Sequence, residues 1–245
     1  MKEIDSLNWT CIIPAAGKST RFKDKKNKIF FLYKNKTILE HIILKIKNFS
    51  KKIVIVSNIK NIEVTKKLCK KFDKNIISVV VQKKINGMAT AIQKSFPKIR
   101  SNFFFIIWAD QLGISKNTIK RVLIDHQKNN NIITLPVVRK KNPYTLIELK
   151  NEFLISKVYQ SREIRLHTDV GYSDCGFFSC NTKEIKRELN KLIKEKKIIS
   201  KKTKEYDFLQ SVEELSKKYK IKVIKSSNNK DCIGINEKKD LKNLI

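Results

Sequence analysis

The chain has 245 residues, 41% of them apolar and 31% charged, enough to bury one large α/β core and to exclude disorder over most of its length. Its 54 basic residues against 23 acidic ones give a net charge of +31, but only seven are arginines, and the lysines are spread among many Asn and Ile residues. AT-rich codons produce that pattern, and specific phosphate or base readout leans on the arginine fork, so no specific nucleic-acid partner is expected. No run reaches the roughly 18–20 apolar residues of a membrane helix, and the polar start at residues 1–6 offers no signal peptide, so a cytoplasmic protein without membrane insertion is expected.

In chain order, an apolar strand is predicted at 9–14. Thr37-Ile-Leu-Glu40 reads as a capping box that opens a helix with Leu39, Ile42, Ile43 and Ile46 on one face. Strands follow at 52–57, 76–82 and 103–109, then a helical face through Ile119, Val122 and Leu123, then a strand at 132–138. Segments 144–149 and 153–158 read as a hairpin. Asn181 opens a helix carrying Ile185, Leu189, Leu192 and Ile193, and Phe208, Val212, Leu215 and Tyr219 mark another. A strand at 221–224, a short apolar piece at Ile233 and Ile235, and a final helix end the order. The succession predicts a Rossmann-like three-layer α/β fold in a single domain, 1–245. Its mostly parallel mixed sheet should place a ligand at the C-terminal strand ends. Five scattered cysteines predict reduced thiols, with neither zinc site nor disulfide framework.

Only six glycines are present, so each is expected to mark a place that tolerates no side chain. Gly17 follows the first strand in Pro14-Ala-Ala-Gly-Lys-Ser-Thr-Arg-Phe22. Small residues there let backbone N–H groups approach phosphate oxygens, with Lys18 and Arg21 beside them. The segment matches neither the Walker nor the dinucleotide fingerprint.

With Asn27-Lys28 and Lys36-Thr-Ile-Leu-Glu-His41 after it, this segment resembles the signature of sugar-phosphate nucleotidyltransferases. It is most similar to the N-acetylglucosamine-1-phosphate uridylyltransferase domain. Val81-Gln82 with Asn86-Gly87-Met-Ala-Thr-Ala91 resembles the nucleobase-binding loop, and Ile106-Ile-Trp-Ala-Asp110 the strand ending in a metal-binding aspartate. Ser173-Asp-Cys-Gly176 resembles the sugar-binding strand, and Ile233-Gly-Ile-Asn236 the late metal-ligand segment.

The resemblance implies transfer of a nucleoside monophosphate from a triphosphate, UTP favoured, to a sugar 1-phosphate, with pyrophosphate released. It gives Lys18 and Arg21 to the β- and γ-phosphates and Lys28 to the α-phosphate. Ala15, Ala16, Gly17, Gln82 and Gly87 would bind the nucleotide. Tyr144, Gln160 and Asp174 would bind the acceptor in a small β-rich insertion, and Asp110 and Asn236 would hold Mg²⁺. Read plainly, Asp110 could instead be a helix-capping or turn aspartate, Asn236 a cap for the last helix, Gln82 a polar strand end, and Tyr144 and Gln160 strand residues facing solvent. His41 is read as an exposed helix residue, and neither it nor His126 or His167 is given a catalytic role.

The chain departs from the family pattern at several places. Asn27 stands for the usual proline, Trp108-Ala109 for a small residue or glycine, and Met88 for a base-contacting threonine. Tyr144-Thr145, Gln160 and Asp174 replace the acceptor-binding Tyr-Gly, Glu and Asn. Cytidylyl transfer to phosphocholine or a polyol phosphate, a nucleotide sensor without turnover, and a nucleic-acid-binding protein therefore stay open, as does a homo-oligomer. Taken as complete, the chain has no room after residue 245 for the β-helix that carries acetyl transfer in bifunctional members, so that activity is not expected.

Overall fold

Strand β1 (Trp9–Pro14) is buried at every residue, which is why its sequence runs apolar without alternation. The computed structural model describes residues 5–244 apart from 23, 25, 26, 130, 162 and 165–168. Residues 1–4 of the polar start, position 130 and His167 thus lie outside the described residues.

A short hairpin, β2 (Leu32–Tyr33) and β3 (Lys36–Thr37), leads into α1 (Ile38–Ile46). The expected capping box is present: the Thr37 hydroxyl accepts from Glu40 N at 3.2 Å, and Thr37 N donates to the Glu40 carboxylate at 2.7 Å. Then come β4 (Lys52–Asn58), α2 (Ile62–Cys69), β5 (Ile77–Gln82), α3 (Met88–Ser95), β6 (Phe103–Ile107) and α4 (Lys116–Lys128). The second half holds β7 (Ile133–Lys141), β8 (Thr145–Leu149), β9 (Ile155–Gln160), β10 (Val170–Asp174), β11 (Phe177–Asn181), α5 (Thr182–Lys194), α6 (Phe208–Ser216) and β12 (Ile221–Lys225).

Among the described residues, one sheet runs β5-β4-β1-β6-β11-β7-β10-β8-β9, with β12 also paired to β7. Strands β1, β4, β5, β6, β7, β8 and β12 run one way and β9, β10 and β11 the other, so the sheet is mixed and mostly parallel. Helices cover both faces. Trp9, Cys11 and Ile13 pack with Ile42, Ile43, Ile119 and Val122 on one side. Ile12 packs with Ile92, Phe104, Leu189 and Val212 on the other. Each such fully buried aliphatic side chain stabilises the fold by about 1.5–3 kcal/mol. The β8–β9 hairpin extends the edge of the same sheet.

Four expectations need correction. Residues 88–91, read as part of a loop, open α3, because Ala89, Ile92 and Phe96 fall on one buried face. The fourth apolar strand stops at Ile107. Residues 238–244 form a 3₁₀ helix rather than an α-helix, with Leu241 and Leu244 only partly buried against the core. His41 is half-buried, and its Nε2 donates to the Tyr33 carbonyl at 2.7 Å. The five cysteines are free thiols, four of them buried.

Candidate active site

Parallel strands end together, so the loops after β1, β5 and β6 converge at one edge of the sheet. They wall a cavity of about 720 Å³ with the β10–β11 turn and residues 232–243. Ala15, Ala16, Gly17, Lys18, Arg21, Lys28, Gln82, Gly87, Asp110, Tyr144, Gln160, Asp174 and Asn236 all line it.

The β1 loop is pinned from both sides. Asn58, buried at the end of β4, donates to the Ala16 carbonyl at 2.8 Å. Asn27 donates to the Gly17 carbonyl at 2.7 Å, while its own carbonyl oxygen accepts from the Ser19 hydroxyl at 2.8 Å and from Ile29 N at 3.2 Å. Asn27, noted in the sequence only as a departure, thus ties the loop to the turn that carries Lys28. Gly17 contradicts the glycine expectation: a Cβ there meets nothing within 4 Å.

At the cavity floor three segments meet. The Lys28 ammonium pairs with the Asp110 carboxylate and lies 3.4 Å from the Asn236 side-chain oxygen. Arg21 donates to that same oxygen at 3.0 Å. Asp110 and Asn236 are held in register by backbone, since Ile235 N donates to the Asp110 carbonyl at 2.9 Å. Asp240, not Asn236, does the capping here, accepting from Asn236 N at 2.8 Å. Asp110 likewise spends its carboxylate on Lys28 rather than on a helix end. A carboxylate and an amide oxygen both reach one cation, the Lys28 ammonium; such hard oxygen donors, few in number, suit Mg²⁺.

Behind this floor lies a network that no sequence motif announced. Asp231 is fully buried and accepts from Ser115 N at 2.8 Å, Ser226 Oγ at 2.6 Å, Asn228 Nδ2 at 2.9 Å and the Thr118 hydroxyl. Lys45 caps the carbonyls of Leu112 and Ile114 nearby, and burial pulls its pKa down to about 8, with Asp231's charge opposing. Together they fix the chain that follows Asp110 and the chain that precedes Asn236.

On the side of β5, Gln82 is buried and its amide donates to Thr90 Oγ1 at 2.9 Å and to the Gly87 carbonyl at 3.1 Å. Gly87 has φ +116°, and the room its missing side chain leaves is taken by the Tyr206 backbone, whose carbonyl oxygen would be 2.2 Å from a Cβ. Its glycine requirement therefore comes from packing inside the chain.

At the far end, Gln160 donates to Asp207 Oδ2 at 2.8 Å, and Asp207 caps α6 through Leu209 N at 2.8 Å. Asp174 accepts from Gly176 N at 2.8 Å and from the Thr145 hydroxyl; burial, with Asp110's charge adding, holds its carboxyl above the usual range. The Arg21 guanidinium carbon lies 5.7 Å from the Tyr144 ring centroid. Trp108, Lys140, Glu205, Tyr206, Asp207 and Phe208 also line the cavity and were missed as site residues. Phe208 gave a signal by its spacing, which read as core, and Trp108 by standing where the family pattern has a small residue or glycine.

Residues 11–169 match the MobA-like NTP transferase domain. The chain belongs to that family. This MobA-like NTP transferase domain is 28% identical over 233 residues to the bifunctional protein GlmU of Buchnera aphidicola subsp. Schizaphis graminum, covering 94% of this chain and 49% of that protein. The chain spans about half the length of the curated relatives it matches. Its fold is shared with the inositol-1-phosphate CTP transferase from T. maritima, at TM-score 0.68 and 18% identity over 91% of this chain and 87% of that one. It is shared equally with a UDP-glucose pyrophosphorylase complexed with UDP-glucose, at TM-score 0.68 and 18% identity over 88% and 89%. The MobA-like domain is thus a nucleotidyltransferase domain.

Proposed function

We propose that the protein transfers a nucleoside monophosphate from UTP to a sugar 1-phosphate, releasing pyrophosphate and forming a nucleotide sugar. The meeting of Lys28, Asp110 and Asn236 on one point, between the β1 loop and the acceptor end, carries this reading. An oxygen of the acceptor phosphate attacks the α-phosphorus and forms a new P–O bond. The bond from the α-phosphorus to the bridging oxygen breaks, and its electron pair leaves with pyrophosphate. The nucleophile is already ionised, so no general base is needed, and catalysis is positioning plus charge neutralisation.

Lys18, Arg21 and the N–H groups of residues 15–17 hold the leaving phosphates, and Lys28 neutralises charge at the α-phosphate. Gln82 and Gly87 shape the base pocket, and Tyr144, Gln160 and Asp174 hold the acceptor. Asp110 and Asn236 are the protein ligands for a magnesium ion, which when bound supplies charge neutralisation and alignment of the phosphates. We assign this work to one domain in the cytoplasm, where nucleoside triphosphates are made and thiols stay reduced. Cytidylyl transfer to an amino-alcohol or polyol phosphate is the second reading, favoured by the aromatic and acidic lining of the acceptor end.

Pyrophosphate release with Mg²⁺, four nucleoside triphosphates and a panel of phosphorylated sugars, polyols and choline tests the proposal. One triphosphate and one acceptor should stand out, and Asp110→Asn should slow release about 10²–10³-fold. Silence throughout, with Asp110→Asn binding triphosphate as tightly as the wild type, overturns it.

A further inference from the structure

The two ends of the cavity are chemically opposite. Lys18 and Lys28 line the β1 end, and Arg21 reaches from it to Asn236 and toward the Tyr144 ring. At the other end stand Asp174, Glu205 and Asp207, interleaved with Trp108, Tyr206 and Phe208. In a chain with 54 basic residues and 23 acidic ones, composition alone would paint this wall positive. Lys140, the other lysine on the cavity, leaves the sheet on the face opposite to Asp174. It pairs with Gly171 in the ladder where Asp174 pairs with Val137, and alternation sends the two side chains to opposite faces.

Trp108 and Phe208 are fixed by their ring contacts. Trp108 packs at 5.1 Å from Phe178 and at 6.1 Å, edge-on, from Phe208. Its ring also fills the space beside Gly176, where a Cβ would come within 2.5 Å of it. Among the described residues, the bonds that hold the Asp174 carboxylate come from the Gly176 N–H, its own N–H and the Thr145 hydroxyl, none of them charged. Rigid aromatic faces beside a desolvated carboxylate are the chemistry that selects an organic cation.

We infer that the acceptor carries a positively charged nitrogen besides its phosphate, an ammonium or quaternary ammonium group, held by Asp174, Trp108 and Tyr206. This rests on reading the cavity as a nucleotidyl-transfer site, with the phosphate toward Lys28 and the cation at the acidic end. Amino sugar phosphates and amino-alcohol phosphates share that chemistry.

Calorimetric binding of matched pairs separates the cases: phosphocholine against 3,3-dimethylbutyl phosphate, and glucosamine 1-phosphate against glucose 1-phosphate. The cationic member of one pair should bind about tenfold tighter or more, and the pair that discriminates names the source. Asp174→Asn and, separately, Trp108→Leu should each remove most of that advantage while triphosphate still binds, which serves as the folding control. Equal binding within both pairs overturns the inference, whatever turnover shows. Discrimination without pyrophosphate release from any acceptor upholds the cation site and sinks the transfer reading instead.

Discussion

Asn27 and Gly17 are neighbours in the β1 loop with opposite demands. The Asn27 amide makes three hydrogen bonds that join Gly17, Ser19 and the turn beginning at Lys28. Asn27→Ala should loosen the loop and raise KM for the triphosphate about tenfold, since a misplaced charge costs more than its lost hydrogen bond. Steady-state kinetics would read this, with kcat changing less; an unchanged KM would dismiss the clamp. Gly17 has open space where a Cβ would stand. Gly17→Ala should therefore leave the urea midpoint almost unchanged yet weaken triphosphate binding severalfold, if the backbone there meets phosphate. Equal affinity would mean the residue is not a phosphate contact. The sequence named Gly17, Lys18, Arg21 and Lys28 because phosphate chemistry concentrates in one short segment. It could not show the work of Asn27, whose partners depend on how the loop folds back.

At the scale of elements, α4, β7 and β11 are joined by His126. Its Nδ1 accepts from the Thr134 hydroxyl at 2.9 Å, and its Nε2 donates to Asn181 Oδ1 at 3.1 Å. The rings of Trp9 and Phe103 pack against it, and burial lowers its pKa to about 4. The unfolded chain therefore binds a proton at about pH 6.5 that the folded one refuses until about pH 4. Stability is full above pH 6.5 and falls as pH drops through that window, by about 3 kcal/mol. Urea unfolding against pH should show this slope, and His126→Gln should flatten it between pH 6.5 and 4. A variant with the same slope would rule the imidazole out. Glu40, held down to about 2 by Lys71 and Thr37 against the penalty of its burial, loses its share only at lower pH.

The same scale explains which elements were legible. Helix α1 could be read because its capping box and apolar stripe are local. Helix α3 was hidden because the residue before it is Gly87, with positive φ and no capping side chain, packed against the Tyr206 backbone.

Across the whole molecule, a net charge of +31 surrounds a cavity that takes polyanions in the proposed reaction. Such a field raises the local concentration of anionic substrates and is screened within about 10 Å at 0.1 M salt. Raising NaCl from 50 to 500 mM should raise KM for the triphosphate several-fold with little change in kcat. A KM indifferent to salt would confine the role of the charge to composition.

The sequence by itself determined the alternation of strands and helices, the β1 loop, and the order of Gln82, Asp110, Asp174 and Asn236 along the chain, because each rests on local periodicity or a short motif. Only the tertiary structure decided that Asp110 and Asn236 face one ammonium, since residues more than a hundred positions apart meet through a backbone bond between Ile235 and Asp110. It alone gathered Trp108, Asp174, Tyr206 and Asp207 around one end of the cavity. They come from three separate stretches of chain, and no pattern within any one of them encodes the distance to the others.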